Sequence, residues 1–329
     1  MEKDLLPREI FSGRYNTGHC QGIAVDLKKG YIYYSFTTCL VKSDLNGNVI
    51  GSVDGLLGHL GCIDFNEADG RVYGSLEYKN DSIGRGILTH LGHSGAINDA
   101  FYCAIFDVDK IDRMHMDACA DGVMRTAYLK DVVDDYLAVE NGVAHRHGCS
   151  GIDGTAIGPM PGAGRDSRQW VFIAYGIYGD VSRDDNDDQV ILCYDPAELC
   201  ALAQPFSQGS MHTSGPAAPH ARLLVHTGNT EYGIQNLEYD AATGDYYAAV
   251  YKGKKVIYAN KPMYVIDGSC APVNNRLQVK AVSDFPYGQT GMCALGDGTW
   301  YFSEDGRAED GWYTFVRLYR YASGSFERL

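Results

Sequence analysis

One pattern of apolar and polar positions recurs along the chain. An apolar run opens on or near Gly, reaches Asp or Asn, turns through Gly, and re-emerges as an aromatic run. The copies read GIAVDLKKGYIYYSF from Gly22, GCIDFNEADGRVYGSLEY from Gly61, and GIDGTAIGPMPG on to QWVFIAYGIYGD from Gly151. Two more read IQNLEYDAATGDYYAAVY from Ile234 and GMCALGDGTWYFSED from Gly291. The first run is short and apolar and the second is rich in Tyr, Phe and Trp. Each copy therefore predicts a hairpin of one buried and one half-buried strand.

Two further strand-like runs follow each of the first four copies: CLVKSDL with NVIGSVDG, AFYCAIFDVD with VMRTAYL, QVILCYD with ARLLVHTG, and MYVIDG with LQVKAVSDF. After the fifth copy only FVRLYRYAS follows. The N-terminal REIFSGRYNTGHCQG resembles LLVHTGNTEYGIQN, where an outer strand leads into the next inner one. Residues about 8–14 are thus expected to complete the last unit. The reading is all-β: a single β-propeller over residues 1–329, with five four-stranded blades and a ring closed by the N-terminal strand. Closure removes free sheet edges. Seven blades is the alternative, requiring about 45 residues per blade and two blades hidden in the long gaps. Residues 132–144 (VVDDYLAVENGVA) have helical composition and read as a short helix or loop between blades.

Composition adds limits. The 39 Gly and 24 Tyr suit turns and strands. A net charge of −14 argues against nucleic acid and against an anionic membrane surface as partners. No run approaches the roughly 20 apolar residues of a membrane span, and MEKDLLPREI has no apolar signal core. A cytoplasmic protein is expected, with its ten Cys as free thiols because they lack paired spacing.

In a propeller, the segments leading into the inner strands and the loops after the second strands share one face. The leading segments carry His19-Cys20-Gln21, His59-Leu60-Gly61, His145-Arg146-His147, Tyr232-Gly233-Ile234-Gln235 and Gln289-Thr290. His19 and His59 stand at matching positions, seven residues before Asp26 and Asn66, and His147 is the third candidate. Three converging imidazoles make a candidate site for one divalent metal (Mn, Zn or Ca), with Gln or water completing it. Without metal they can act as a general base, or simply cap strand ends. The loops run from Glu77 through Lys79 to His90 and His93, from Tyr178 to Asp188, over Tyr251-Lys252, and over Glu304-Asp305-Gly306-Arg307. Their Tyr and Trp can stack on sugar rings, and Lys79, Arg183, Lys252 and Arg307 can hold a carboxylate. The acidic run Asp184–Asp188 lacks EF-hand spacing and reads as a solvated loop.

With HCQG, GHLG and HRHG at one mouth, the chain resembles carbohydrate-active propellers. These are the oligogalacturonate and ulvan lyases, and the propeller glycosidases and lyases acting on rhamnosyl-glucuronate. The resemblance implies a His or Tyr base that removes the proton beside a uronate carboxylate, with that carboxylate neutralised by Arg or by a metal held by His and Gln. Those lyases are mostly seven-bladed. The five-bladed glycosidases match the blade count and normally use carboxylates. The expected function is therefore cleavage of a glycosidic bond in a uronate-containing oligosaccharide by β-elimination. His19, His59 and His147 would bind metal or act as base, and Tyr178 or Tyr232 as acid. Gln21, Glu77, Lys79, Arg183, Gln235 and Glu304 would contact substrate. The alternatives are hydrolysis by a carboxylate pair such as Glu77 with Glu304, and a non-catalytic sugar-binding or scaffold propeller.

Overall fold

A computed structural model describes residues 6–329, so the first five residues of the N-terminal segment lie outside it. The repeats form five sheets arranged as a five-bladed β-propeller. The inner strands are Cys20–Asp26, His59–Asn66, Cys149–Pro159, Thr230–Asp240 and Met292–Ala294, for blades 1 to 5 in that order. Each pairs antiparallel with its aromatic neighbour, as in Gly22 opposite Ser35 and Asn236 opposite Ala249.

The seven-bladed alternative is excluded, because the long gaps hold edge strands instead of blades. Met116–Asp117 runs parallel to the outer strand of blade 1, Gln204–Pro205 pairs with blade 2, and Arg276–Leu277 runs parallel on blade 3. Each comes from the excursion between the third and fourth strands of the following blade. These excursions cover edges that would otherwise invite pairing with other chains. The 132–144 segment divides into a helix, Lys130–Leu137, and a small hairpin of Val139–Glu140 with Val143–Ala144.

The N-terminal strand closes the ring, but it supplies only half of the last outer strand. Glu9–Phe11 pairs with Phe315–Arg317, and Ser325–Arg328 pairs with Tyr319–Ala322 of the same strand, Gly311–Ala322. The second piece returns through Ser323 and Gly324, both at positive φ. It escapes a repeat-based reading because its turn sits at the very end of the chain.

Five apolar clusters hold the ring, one in each cleft between adjacent blades. The aromatic second strands supply much of them: Tyr33, Tyr73, Tyr175, Tyr247 and Trp300 are fully buried. Such side chains bring large apolar area to each cleft. The recurrent Gly has a steric cause. A Cβ on Gly22 would lie 2.8 Å from Ile63 N of the next blade, and one on Gly61 2.7 Å from Asp153 Oδ1 of the next. Inner strands crowd at the axis, and a side chain there would push blades apart. The serine of each YSF- or GSL-type run ties blades together: Ser35 Oγ donates to Gly61 O at 2.7 Å and Ser75 Oγ to Asp153 O at 2.6 Å.

At the mouth where the inner strands end, Asp64 and Glu238 face a cavity of about 460 Å³. Ile157 N–H donates to Asp64 Oδ2 at 2.6 Å, and Ala294 N–H to Glu238 Oε1 at 2.8 Å. Burial pushes Asp64 up to about 7, and burial plus the Asp64 charge pushes Glu238 well above its usual range. Two such neighbours cannot both ionise cheaply. An unfolded Asp titrates near ~3.9, so between there and about 7 the folded chain holds a proton that the unfolded chain has lost. Stability therefore falls as pH rises through that window. Asp64→Asn is expected to flatten the decline, as read by the denaturation midpoint against pH; an unchanged slope would refute the raised Asp64 pKa.

The ten cysteines are free thiols. No helix among the described residues is long and apolar enough to cross a membrane.

Candidate active site at the channel mouth

The opposite mouth, where the inner strands begin, is a pocket of about 300 Å³. Seven of the residues singled out from sequence line it: His19, Gln21, His59, Glu77, Lys79, Tyr232 and Gln235. Thr37, Ser150, Asp153 and Tyr251 join them, and Ile83 and Ile87 of the helix Ser82–His90 form one wall. Asp81 caps that helix by accepting from Gly84 N–H at 2.8 Å.

Backbone irregularity aims many of these groups. The inner strands break register between Cys20 and Gly22, Cys149 and Gly151, Ile152 and Thr155, and Ile234 and Asn236. Gln21, Ser150, Asp153 and Gln235 sit inside those breaks. A β-bulge turns a side chain away from the alternation of a regular strand, and here it turns them to the axis. Tyr232 reaches the rim by another route, at φ +68° ahead of Gly233 at +77°.

His19 and Asp305 form a dyad. His19 Nδ1 lies 2.7 Å from Cys20 O and 3.6 Å from Asp305 Oδ2. Burial is the largest influence and opposes charge on His19, but Asp305 and the Cys20 carbonyl together outweigh it and raise the imidazole pKa. The outward Nε2 lies 3.4 Å from Gln21 Nε2. His59 behaves oppositely. Burial, with the nearby Lys79 and His19 charges, lowers it to about 3, so it stays neutral. Its buried Nδ1 has no hydrogen-bond partner among the described residues and lies 3.6 Å from Glu77 Oε1 and 3.7 Å from Asp153 Oδ1.

The carboxylates divide into two roles. Glu77 is held by Lys79 Nζ at 2.5 Å on Oε1 and by Ile152 N–H at 3.0 Å on Oε2. Lys79 also donates to Ser150 O at 2.7 Å and faces Asp81 at 3.7 Å. Burial works against the Lys79 charge, yet Glu77 and Asp81 keep it protonated. Asp153 has no Lys or Arg partner among the described residues, and Gln235 Nε2 donates to its Oδ2 at 3.1 Å. Burial first, then repulsion from Glu77, holds Asp153 protonated far above the usual carboxylate range. Tyr251 is pushed up to about 12, first by burial and then by the Asp305 charge.

Four expected residues stand elsewhere. His147, at φ +58° in the turn before blade 3, lies among Asp135, Arg222, Asp185 and Arg146. Its left-handed backbone turns it from the axis, so the three-histidine set does not assemble. Among the described residues no group of three or more His, Cys, Asp or Glu is placed to hold a metal. Lys79 already occupies Glu77 Oε1. The mouth does not fit the divalent ion that the resemblance implied. Tyr178 donates to Asp81 Oδ2 at 3.0 Å, outside the pocket. Arg183 pins its own loop, donating to Ala144 O, His145 O and Asp185. Glu304 is bound by Arg317 at 2.9 Å and Tyr319 at 3.0 Å on the far side of its strand. Strand alternation points its neighbour Asp305 at His19 instead. In the acidic run, Asp185, Asp187 and Asp188 are ion-paired with Arg183, Lys255 and Arg276.

A second cavity of about 370 Å³ adjoins the first and shares Thr37, Ile83 and Ile87 with it. It is completed by Thr17, Gly18, Thr38, Gly86, His90, Arg307 and Trp312. The Arg307 guanidinium lies 5.4 Å above the Trp312 ring, and His19 packs 5.7 Å from the same ring.

Fold and site together define a five-bladed propeller with a pocket of buried titratable and polar groups at one mouth. No protein-family model and no curated protein sequence matches the chain. Among solved structures it is similar to a functionally unknown protein from Desulfotomaculum acetoxidans DSM 771, at 11% identity and a TM-score of 0.39. That match covers 94% of this chain and 68% of the other. It is also similar to the calcium structure of Trichoderma reesei Carbohydrate-Active Enzymes Family AA12, at 11% identity and a TM-score of 0.41, covering 91% of this chain and 80% of the other.

Proposed function

We propose that the protein is a carbohydrate-active enzyme that hydrolyses a glycosidic bond at the His19 mouth. The observation that carries this reading is the pairing of a buried, protonated Asp153 with a His19 held by Asp305 in one pocket. Gln21, Thr37, Tyr232, Gln235 and Tyr251 add neutral polar and aromatic groups to the lining, which suits sugar hydroxyls and ring faces.

In this reading Asp153 gives its proton to the glycosidic oxygen as the bond to the anomeric carbon breaks. His19 Nε2 takes a proton from water, whose oxygen bonds to that carbon. Asp305 is a positioning residue, fixing the ring and stabilising imidazolium. Hydrolysis is favoured over β-elimination by charge. Elimination needs a free cation beside the substrate carboxylate; within the pocket Lys79, the one Lys or Arg of its described lining, is already committed to Glu77, Asp81 and Ser150 O, and Arg307 lies in the adjoining cavity.

The acid must be protonated and the base neutral, so the rate should be bell-shaped in pH. Asp305 raises the His19 pKa, so Asp305→Asn should move the rising limb to lower pH, while His19→Gln removes that limb. The assay is release of reducing ends from a panel of oligosaccharides across pH. No turnover over the panel, or full activity in His19→Gln, would overturn the proposal.

A further inference from the structure

We infer that the cavity between Trp312 and the helix Ser82–His90 is a second sugar subsite, which receives the leaving-group residue. The inference rests on the hydrolytic reading above. It adds that the substrate is at least a disaccharide and that the scissile bond lies over the Thr37–Ile83 ridge.

Three observations converge. First, the cavity adjoins the acid–base pocket: Thr37, Ile83 and Ile87 line both. Each space is within the size range of small-molecule pockets. Second, its lining is that of a sugar platform. Trp312 supplies a broad ring, Ile83 and Ile87 face it with apolar surface, and Thr17, Thr38 and Arg307 supply polar groups. Arg307 forms no ion pair among the described residues, although the chain carries a charge of −14. Its donors are thus available to hydroxyls. Third, His19 stands at the junction. It lines the inner pocket and packs against Trp312. A bond held over the ridge would have the base on one side, with the departing sugar moving toward the indole. Thr17 and Thr38 are already bonded to each other at 2.7 Å, so this wall is set before any ligand arrives.

The subsite is separable from the chemistry by the choice of leaving group. Glycosyl fluorides of the sugars in the panel carry no second ring, and the matching disaccharides do. Trp312→Ala should lower kcat/KM for disaccharides by roughly tenfold or more, the usual cost of truncating a buried Trp contact. Fluoride hydrolysis should fall much less than disaccharide hydrolysis, since only the packing of the indole on His19 is then lost and not the second-ring contact. Arg307→Ala, at an exposed position, should show the same split and guards against a folding defect in the Trp312 variant. Disaccharides should also shift tryptophan emission in the natural chain, and the shift should vanish in Trp312→Phe. Turnover with no split and no emission shift would overturn the subsite and leave the hydrolytic reading standing. An emission shift without turnover would keep the subsite and overturn hydrolysis. Neither signal would overturn both.

Discussion

Asp153→Asn should cut glycan hydrolysis by roughly 10²–10⁴-fold, the usual contribution of a positioned general acid, while leaving the fold as stable or more so. The two halves of this expectation have one origin. Asp153 is largely buried on the inner strand of blade 3, near Glu77, and its raised pKa keeps its proton on at neutral pH. In the unfolded chain the same carboxyl ionises, so at neutral pH its raised pKa costs folding free energy. An amide has nothing to ionise and removes that cost. It can still accept from Gln235 through its oxygen, as the carboxyl does at 3.1 Å. The pH–rate profile should also lose its falling limb, which reports deprotonation of the acid. Initial rates with a thermal melt decide the matter. A variant that retains activity within a few-fold removes Asp153 from the mechanism, and one that loses stability contradicts the protonated state.

Lys79→Met should be the most destabilising single change at the mouth, by about 3–5 kcal/mol. Lys79 and Glu77 are almost fully buried, with side-chain exposures of 4% and 3%. Taking away the ammonium leaves Glu77 in a low-dielectric site with only the Ile152 amide as donor. Most of the loss should return in Glu77→Gln/Lys79→Met, because replacing both partners removes the uncompensated charge along with the pair. Denaturant unfolding of the two single variants and the double variant closes this cycle. A double variant as unstable as Lys79→Met alone would show that Lys79 acts through packing. Lys79 also helps depress the His59 pKa, so in Lys79→Met that pKa should rise, which an NMR titration of the imidazole would register.

Part of the mouth was readable before any coordinates. His19 and His59 follow from their equal spacing to Asp26 and Asn66, and both line the pocket. A second spacing was also present. The position two residues after the recurrent small residue of each second strand is Thr37, Glu77, Tyr178, Tyr251 and Asp305, after Ser35, Ser75, Gly176, Ala249 and Ser303. Aligned this way, Asp305 and not Glu304 is the counterpart of Glu77. The structure places Asp305 beside His19 and Glu304 against Arg317. Asp153 carried no such signal. It lies two residues after Gly151, whereas Asp64 lies three after Gly61, and the two point to opposite mouths. A one-residue change of register reverses the face a side chain takes, and the breaks flanking Asp153 are invisible in an apolar pattern.

The sequence by itself determined the kind of ring. Five copies of one hairpin signal set five blades, Gly at the head of most inner strands let them crowd the axis, and aromatic second strands filled the clefts. These are local properties, repeated, and repetition makes them legible. Only the tertiary structure decided which polar groups meet. Bulges chose Gln21, Ser150, Asp153 and Gln235 for the axis, a left-handed turn removed His147, and burial between blades left Asp153 protonated and His59 neutral. Those outcomes depend on neighbours from different blades, distant in the chain and adjacent in space. No spacing along one strand encodes the dielectric and charge that its neighbours impose.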